Sequence, residues 1–453
     1  MAIAERPMKV SEIIDQRPLG GFQIGTITMS AIVLVLDGFA TQSIGFLAPS
    51  MAKTLGLPIH RFGAVFSAAL FGLMISSLIA GPIADRVGRK WPIIFATLTF
   101  GVFSIATARA ISFNELVVFR FLTGLGLGGA IPNAVALTAE YAPKRLQRIL
   151  VTTLFSSMPL GALLGGLVSF GMLDRWGWRA VFLVGGITPV AVAFILMKFL
   201  PESLRFMSVR NGRRDKEESR KILLKIAPEI AADSIDLTAA KEDRRLEGNS
   251  VGHLFAEGRA LGTLLLWIPF FMNLLSLYFI INWLPALLRQ TQMPVSAGII
   301  GVSIFSLGGI VGSLTQGRMM NAWGNTAVLI SEFLLSLVVI GSVAFIQSFP
   351  VMMAVIFVLG FSIQGAQAGL NALSATTYPT PIRSTGVGWA LGVGRMGSIV
   401  GPLLGGVMIA RSWSLRQIFF AGTIPALIAA VAILMRHYAV QKSHSDAVLT
   451  KGA

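Results

Sequence analysis

The sequence contains no cysteine, and only four of its 453 residues are histidine. Without cysteine there is no disulfide framework, no thiolate metal site and no cysteine nucleophile. His60, His253, His437 and His444 stand apart, and none pairs with another at metal-ligand spacing. Neither a metal nor another cofactor is expected. Charge is also scarce, at 13% of residues against 54% hydrophobic. No P-loop pattern occurs, which argues against a pump driven by ATP. Met1 to Gly21 is polar and lacks a signal-peptide pattern. The first apolar run is therefore expected to act as both insertion signal and permanent span.

What the sequence has in abundance is long apolar runs. A soluble domain of this length cannot hide so much apolar surface in one core, whereas a lipid bilayer solvates it. A membrane helix needs about 20 apolar residues, so the content suits roughly a dozen spans. The pattern places them at 24–47, 62–84, 91–110, 115–140, 149–172, 178–199, 260–284, 296–319, 325–346, 350–374, 385–410 and 416–436. Glycine is frequent within them, as at Gly124, Gly126, Gly128 and Gly129, and permits close helix contact in lipid. This Gly-rich run lies inside an apolar helix rather than at a strand–helix turn, so a dinucleotide fingerprint is rejected.

The formal net charge is +16. In a soluble protein that would point to nucleic acid. Here the basic residues are divided among loops between apolar spans, and no nucleic-acid partner is expected. With the N-terminus inside, inside segments carry 26 Lys and Arg and outside segments eight. Leaving out residues 200–259 still gives 14 against eight. The excess favours both termini on the cytoplasmic side of a membrane, expected to be the bacterial inner membrane.

A long polar stretch divides six spans from six. The expected organisation is a cytoplasmic segment at 1–23, a first bundle at 24–199, a cytoplasmic linker at 200–259, a second bundle at 260–436 and a cytoplasmic tail at 437–453. The halves echo each other. Trp176, Arg179, Phe182 and Gly185 return in the same spacing at Trp413, Arg416, Phe419 and Gly422. Gly81 and Gly317 are separated by nearly the same interval. A fixed offset near half the chain indicates duplication of a six-span unit. Secondary transporters are commonly built this way, with their site near the bilayer midplane between the repeats.

After the second span the chain reads Gly81-Pro-Ile-Ala-Asp85-Arg86-Val-Gly88-Arg89-Lys90. This resembles the signature loop of the major facilitator superfamily, G-x-x-x-D-R-x-G-R-[KR]. The matching stretch after span 8, from Gly317 to Asn325, lacks the acid and the following arginine. Span 1 holds Asp37-Gly38-Phe39-Ala40-Thr41-Gln42, and span 4 runs from Arg120 through its glycines to Pro132-Asn133 and Glu140-Tyr141. Spans 10 and 11 hold Tyr378-Pro-Thr-Pro-Ile-Arg383 and Gly386 to Arg395. Together these resemble the aromatic acid:proton symporter family within that superfamily, over all twelve spans. The resemblance implies an all-α membrane protein with twelve transmembrane helices in two pseudo-symmetric six-helix bundles, the major facilitator fold, acting as a monomer. One departure is clear: where that family has D-G-x-D in span 1, the second carboxylate is Ala40 here.

Ionisable residues inside a span cost about 2.5–3.5 kcal/mol on insertion scales and are functional candidates by default. Asp37, Arg120 and Glu140 are the proton-coupling candidates. Asp37 could instead be a buried partner to an arginine, and Arg120 could snorkel to the outer interface. Arg395, deep in span 11, can hold a carboxylate through two parallel hydrogen bonds, or pair structurally. Gln42, Asn133, Asn282, Gln364, Gln367 and Asn371 are neutral polar candidates for binding. Trp283 and Trp389 could supply a flat apolar wall, along with Phe39 or Tyr278, or simply sit at the bilayer interface. Gly81, Asp85, Arg86, Gly88, Arg89 and Arg383 are expected to form a cytoplasmic gate, with Glu140 at its edge.

The expected function is proton-driven uptake of a small organic anion, an aromatic carboxylate of the benzoate class, by alternating access. A non-aromatic carboxylate or other metabolite, export, and a transporter-like ligand sensor remain open alternatives. No enzyme is expected.

Overall fold

The computed structural model describes residues 8–210, 212–228, 235–236, 251–256, 259–289, 297–379 and 382–451. Of the stretches expected from sequence, parts of the N-terminal segment, the 200–259 linker and the tail lie outside the described residues, as does residue 296 of the eighth span. After a short helix α1 (Val10–Asp15) come α2 (Gly21–Leu55), α3 (Phe62–Val87), α4 (Lys90–Ala108), α5 (Phe113–Tyr141) and α6 (Lys144–Phe199). Two short helices follow, α7 (Leu204–Arg210) and α8 (Arg213–Ile226). The second series is α9 (Ala260–Leu288), α10 (Ala297–Trp323), α11 (Asn325–Val343), α12 (Phe349–Thr377), α13 (Arg383–Ala410) and α14 (Leu415–Lys451). Strands are confined, among the described residues, to β1 (Met8–Lys9) and β2 (Ile235–Asp236), which pair in parallel.

Eleven of these helices are long and apolar enough to cross a membrane. One is two spans in sequence: α6 is interrupted at Gly177, whose φ of 72° lies in the left-handed region that glycine adopts without steric penalty. Both ends of α6 lie beside the Arg89 segment, so the chain reverses at Gly177 and twelve spans result. The loop expected after the second span is also shorter than its sequence implies. Helix α3 runs on through Asp85 and Arg86, and only Gly88 (φ 89°) and Arg89 separate it from α4.

Lipid is as apolar as leucine, so helices in a bilayer gain little from hiding apolar surface against each other. They associate by close packing. The structure shows where, and shows it twice. A Cβ on Gly124 of α5 would lie 1.9 Å from the carbonyl oxygen of Ala69 in α3, and one on Gly360 of α12 would lie 1.9 Å from that of Phe305 in α10. The step along the chain from Ala69 to Phe305 equals that from Gly124 to Gly360, and it is also the step from Gly81 to Gly317. Gly72 against Phe121 recurs as Gly308 against Phe357, and Gly161 against Val35 as Gly397 against Phe271, at this same repeat interval. The two six-helix bundles are therefore one packing scheme used twice.

Among the described residues, the bundles pack closely on each other at one end. There α3 packs on α13, where Gly63 meets the Pro402 carbonyl and the Ser67 hydroxyl donates to the Ile399 carbonyl at 2.7 Å. The repeat-related pair, α10 on α6, brings Ser303 against Gly166. Between them Gly45 of α2 meets Ile281 of α9, its own counterpart one repeat interval on. The largest apolar cluster bridges both halves here, through Phe46, Phe66, Trp283 and Phe305. Toward the Arg89 end there are instead two separate clusters, one in each half. A Cβ on Gly81 of α3, or on Gly388 or Gly392 of α13, would meet nothing within 4 Å. The molecule is sealed at one end and parted at the other.

Gly124→Ala and Gly360→Ala each force a Cβ onto a backbone oxygen and are expected to cost about 1–3 kcal/mol. Thermal unfolding of the detergent-solubilised protein should show a lowered midpoint for both. Gly171→Ala, where the new Cβ has open space, should not lower it.

Candidate functional site

Just inside the seal, between the halves, lies a small cavity. Its walls come from α2 (Thr41), α3 (Phe66, Leu70), α5 (Arg120) and, from the other half, α9 (Tyr278, Asn282). Apolar faces dominate, with a few converging polar groups, which is the usual make-up of a small-molecule site.

Arg120 does not snorkel. Its side chain is fully buried, with one guanidinium nitrogen donating to the Ala40 carbonyl at 3.1 Å. The guanidinium carbon stands 5.9 Å from the centre of the Phe182 ring. Nε and the remaining terminal nitrogen have no hydrogen-bond partner. Position 40, where the symporter family carries a carboxylate, here offers Arg120 only a backbone oxygen. An unpaired buried guanidinium is costly, and it is open to an anion.

Asp37 lies one turn before Thr41 on α2 and is fully buried. Thr41 donates to Oδ1 at 3.3 Å, and Oδ2 has no hydrogen-bond partner. Arg395 of α13 is half-buried and within electrostatic reach of both Asp37 and the Tyr278 hydroxyl, so it links α2, α9 and α13 across the two halves.

The polar candidates on α12 divide. Gln367 and Asn371 share a face, with the Gln367 amide donating to Asn371 at 3.3 Å. Gln364 turns away and reaches the Phe305 carbonyl of α10. A further residue joins the first pair: Asn273 of α9 donates to Gln367 at 2.9 Å and to the Ile363 carbonyl at 3.1 Å. Asn273 stands one repeat interval after Asp37 and is its counterpart in the second half. The repeat offset alone would have found it.

Other candidates lie elsewhere. Asn282 lines the cavity and donates to its own helix at Tyr278, while Asn133 does the same at Gly129, outside the cavity wall. Gln42 is buried, with an unpartnered carbonyl oxygen. Trp283 is wholly buried in the seal, donating to the Pro402 carbonyl at 2.9 Å and packing edge-on to Phe66. Trp389 is exposed and stacks on Trp267, with ring centres 5.9 Å apart.

At the parted end, Arg89 pairs with Glu140 at 2.8 Å. Ser203 donates to the same carboxylate, whose other charged neighbour is Arg205. Gly81, Asp85, Arg86 and Arg383 are exposed there, Arg383 donating to the Tyr378 carbonyl, and Gly88 is buried against Glu202. Glu202 is an organising residue that the motif reading passed over. One of its carboxylate oxygens accepts from the backbone N–H groups of Arg89, Lys90 and Ser203, closing the N-terminal end of α4. Its backbone carbonyl accepts from the Tyr141 hydroxyl at 2.7 Å. A glutamate directly after the Pro that ends a span was the available signal. Among the described residues no three His, Asp or Glu side chains gather as a metal site.

The Major Facilitator Superfamily model matches residues 30–301 and 266–450. The chain belongs to that superfamily. The 4-hydroxybenzoate transporter PcaK of Pseudomonas putida is 35% identical over 443 residues, covering 98% of each chain. The gallate transporter of the same species is 35% identical and covers 96% of each. Among solved structures, the xylose transporter XylE from E. coli, in a partially occluded inward-open conformation, matches with a TM-score of 0.74. It covers 92% of this chain and 98% of that one at 16% identity, which shows a shared fold. Fold and relatives are those of transporters.

Glu202→Ala removes an acceptor from three backbone N–H groups and is expected to cost about 1–3 kcal/mol. Glu202→Gln keeps an acceptor oxygen and should cost less. Thermal midpoints of the two purified variants make the comparison.

Proposed function

We propose that the protein is a proton-coupled symporter that takes up a small aromatic carboxylate, of the hydroxybenzoate class, by alternating access. It lies in the bacterial inner membrane with both termini in the cytoplasm, functions as a monomer and performs transport rather than catalysis. The observation that carries the reading is the full-length 35% identity to 4-hydroxybenzoate and gallate transporters. The arrangement of charge in the cavity supports it.

On this reading the substrate carboxylate binds the unpartnered nitrogens of Arg120, and its ring lies against Phe66 and Leu70. Tyr278 and Asn282 meet the polar substituents of the ring. Asp37 exchanges a proton and, with that proton, its attraction to Arg395. A protonated Asp37 loosens α2 from α13; an ionised one draws them together. Binding and protonation thus bias the same pair of halves, as coupling requires. The Arg89–Glu140 pair belongs to the cytoplasmic gate, and the parted end faces the cytoplasm. Moving one charge down 100 mV supplies about 2.3 kcal/mol.

The test is uptake of labelled 4-hydroxybenzoate, gallate and aliphatic acids into proteoliposomes under an inward proton gradient, with and without protonophore. Protonophore-sensitive accumulation of the aromatic acids is expected. Arg120→Ala should weaken binding by about 2 kcal/mol or more, a thirtyfold or greater loss. Asp37→Asn should abolish driven accumulation while leaving exchange of labelled for unlabelled substrate. Accumulation of aliphatic acids alone would remove the aromatic assignment, and indifference to the gradient would remove symport.

A further inference from the structure

The second half contains an ionisable group that the cavity does not use. Glu332 is the eighth residue of the 19-residue α11 and is 2% exposed. Its Oε2 accepts from the Gln316 amide of α10 at 3.0 Å, and its Oε1 has no partner. The Gln316 amide oxygen is unpartnered as well. Both orphaned oxygens converge on Gly365 of α12, where a Cβ would lie 2.6 Å from the first and 3.4 Å from the second. Two acceptors facing one another across a glycine are short of a hydrogen.

The fold does not require a carboxyl there. Moving back one repeat interval takes Glu332 to Ala96, Gln316 to Ala80 and Gly365 to Gly129. In the first half Gly129 does face Ala96, 3.4 Å from its Cβ. The same helix crossing is thus completed with alanines in one half and with a Glu–Gln pair in the other. The pair is an addition to the scaffold, and a costly one within a span.

Nothing nearby offsets a negative charge. Helices α11 and α12 carry no other ionisable residue, and α9 carries only Tyr278, at the central cavity. On α10 the charged group is Arg318, which is exposed. On α14, Arg436 donates to Thr377, His437 contacts Thr326, and Arg416 lies over Phe345. A buried carboxyl with only a neutral amide for company is neutral with a proton on it.

The site also has polar neighbours toward α9. One turn on from Glu332, Ser336 bonds Ser362 at 2.8 Å and lines a narrow, mostly apolar cavity between α9, α11, α12 and α14. Asn273 and Ser276 line the same cavity, and the Ser276 hydroxyl is buried without a partner. Asn273 is the residue that bonds Gln367 of α12.

We propose that Glu332 is a proton-binding site of the second half, whose loading and release accompany transport. In the loaded form the proton sits on Oε1, facing the Gln316 oxygen; on release it passes to water that reaches the site as the helices move, and the carboxylate keeps its bond from the Gln316 amide. Its part in transport rests on the symport reading above.

The experiment compares two measurements on the full chain in liposomes. One is accumulation of 4-hydroxybenzoate driven by an inward proton gradient. The other is counterflow of labelled against unlabelled substrate at equal pH, which needs no net proton movement. Glu332→Gln should preserve counterflow and, by removing one coupled proton, lower driven accumulation about fiftyfold at a gradient of about 100 mV. Gly365→Ala should show the same split. Its new Cβ meets the free end of the Glu332 side chain, so the carboxyl yields and the helices stay packed. Driven accumulation at the unmodified level in either folded variant would overturn the proposal. So would loss of counterflow in both, which marks a packing role. If Asp37→Asn abolishes driven accumulation and Glu332→Gln does not, symport stands and this inference alone falls. If the unmodified protein shows counterflow but no driven accumulation, the symport reading itself fails, and the coupling role of Glu332 fails with it.

Discussion

The contact on which the structure depends is the approach of one helix backbone to another with no side chain between. In a bilayer apolar helices are held together largely by shape, and the tightest crossings are made where a glycine lets a carbonyl through. Gly124 against Ala69 and Gly360 against Phe305 are such points. Because the crossings recur at a constant interval, they fix the two halves as copies. They also define which residues are counterparts, and every later comparison of the halves rests on that correspondence.

That correspondence separates scaffold from addition. Where both copies place small residues at a crossing, packing explains them. Where one copy places a charge and the other a neutral group, packing does not. Asp37 faces Asn273 in this sense, and Glu332 faces Ala96. The asymmetry is concentrated in polar side chains set into a symmetric frame. A transporter needs this arrangement, since the frame must move as two similar bodies while the chemistry between them is directional.

Much of the fold could be read from sequence, because a run of apolar residues long enough to cross lipid has few other fates. The duplication was legible for the same reason that it is structural: Trp176 and Trp413 keep their interval. Asp37, Arg120 and Arg395 stood out as charges inside spans. What sequence could not supply was the rotation of each helix about its axis. A helix that is apolar on all sides has no polar stripe to orient it. Hence Gln364 and Gln367, neighbours on paper, point to different partners, and Trp283 lies in the seal rather than on the cavity wall. Glu332 escaped notice although it obeys the rule that marked Asp37, because no motif surrounds it. The loop after the second span was misjudged for a local reason: charged Asp85 and Arg86 continue a helix that only Gly88 can end.

The seal between the halves is built of glycine, proline and aromatic surfaces, with the Ser67 hydroxyl bound to a backbone carbonyl. Such an interface has little directional bonding to rupture. Its cohesion is short-ranged, vanishing once the surfaces part by an ångström or so. It behaves more like a magnetic catch than a bolt. The closed state is well defined, yet the work needed to leave it is modest and is spent almost at once. For a machine driven by energies of a few kcal/mol per cycle, that is the kind of closure that can be both tight and frequently opened.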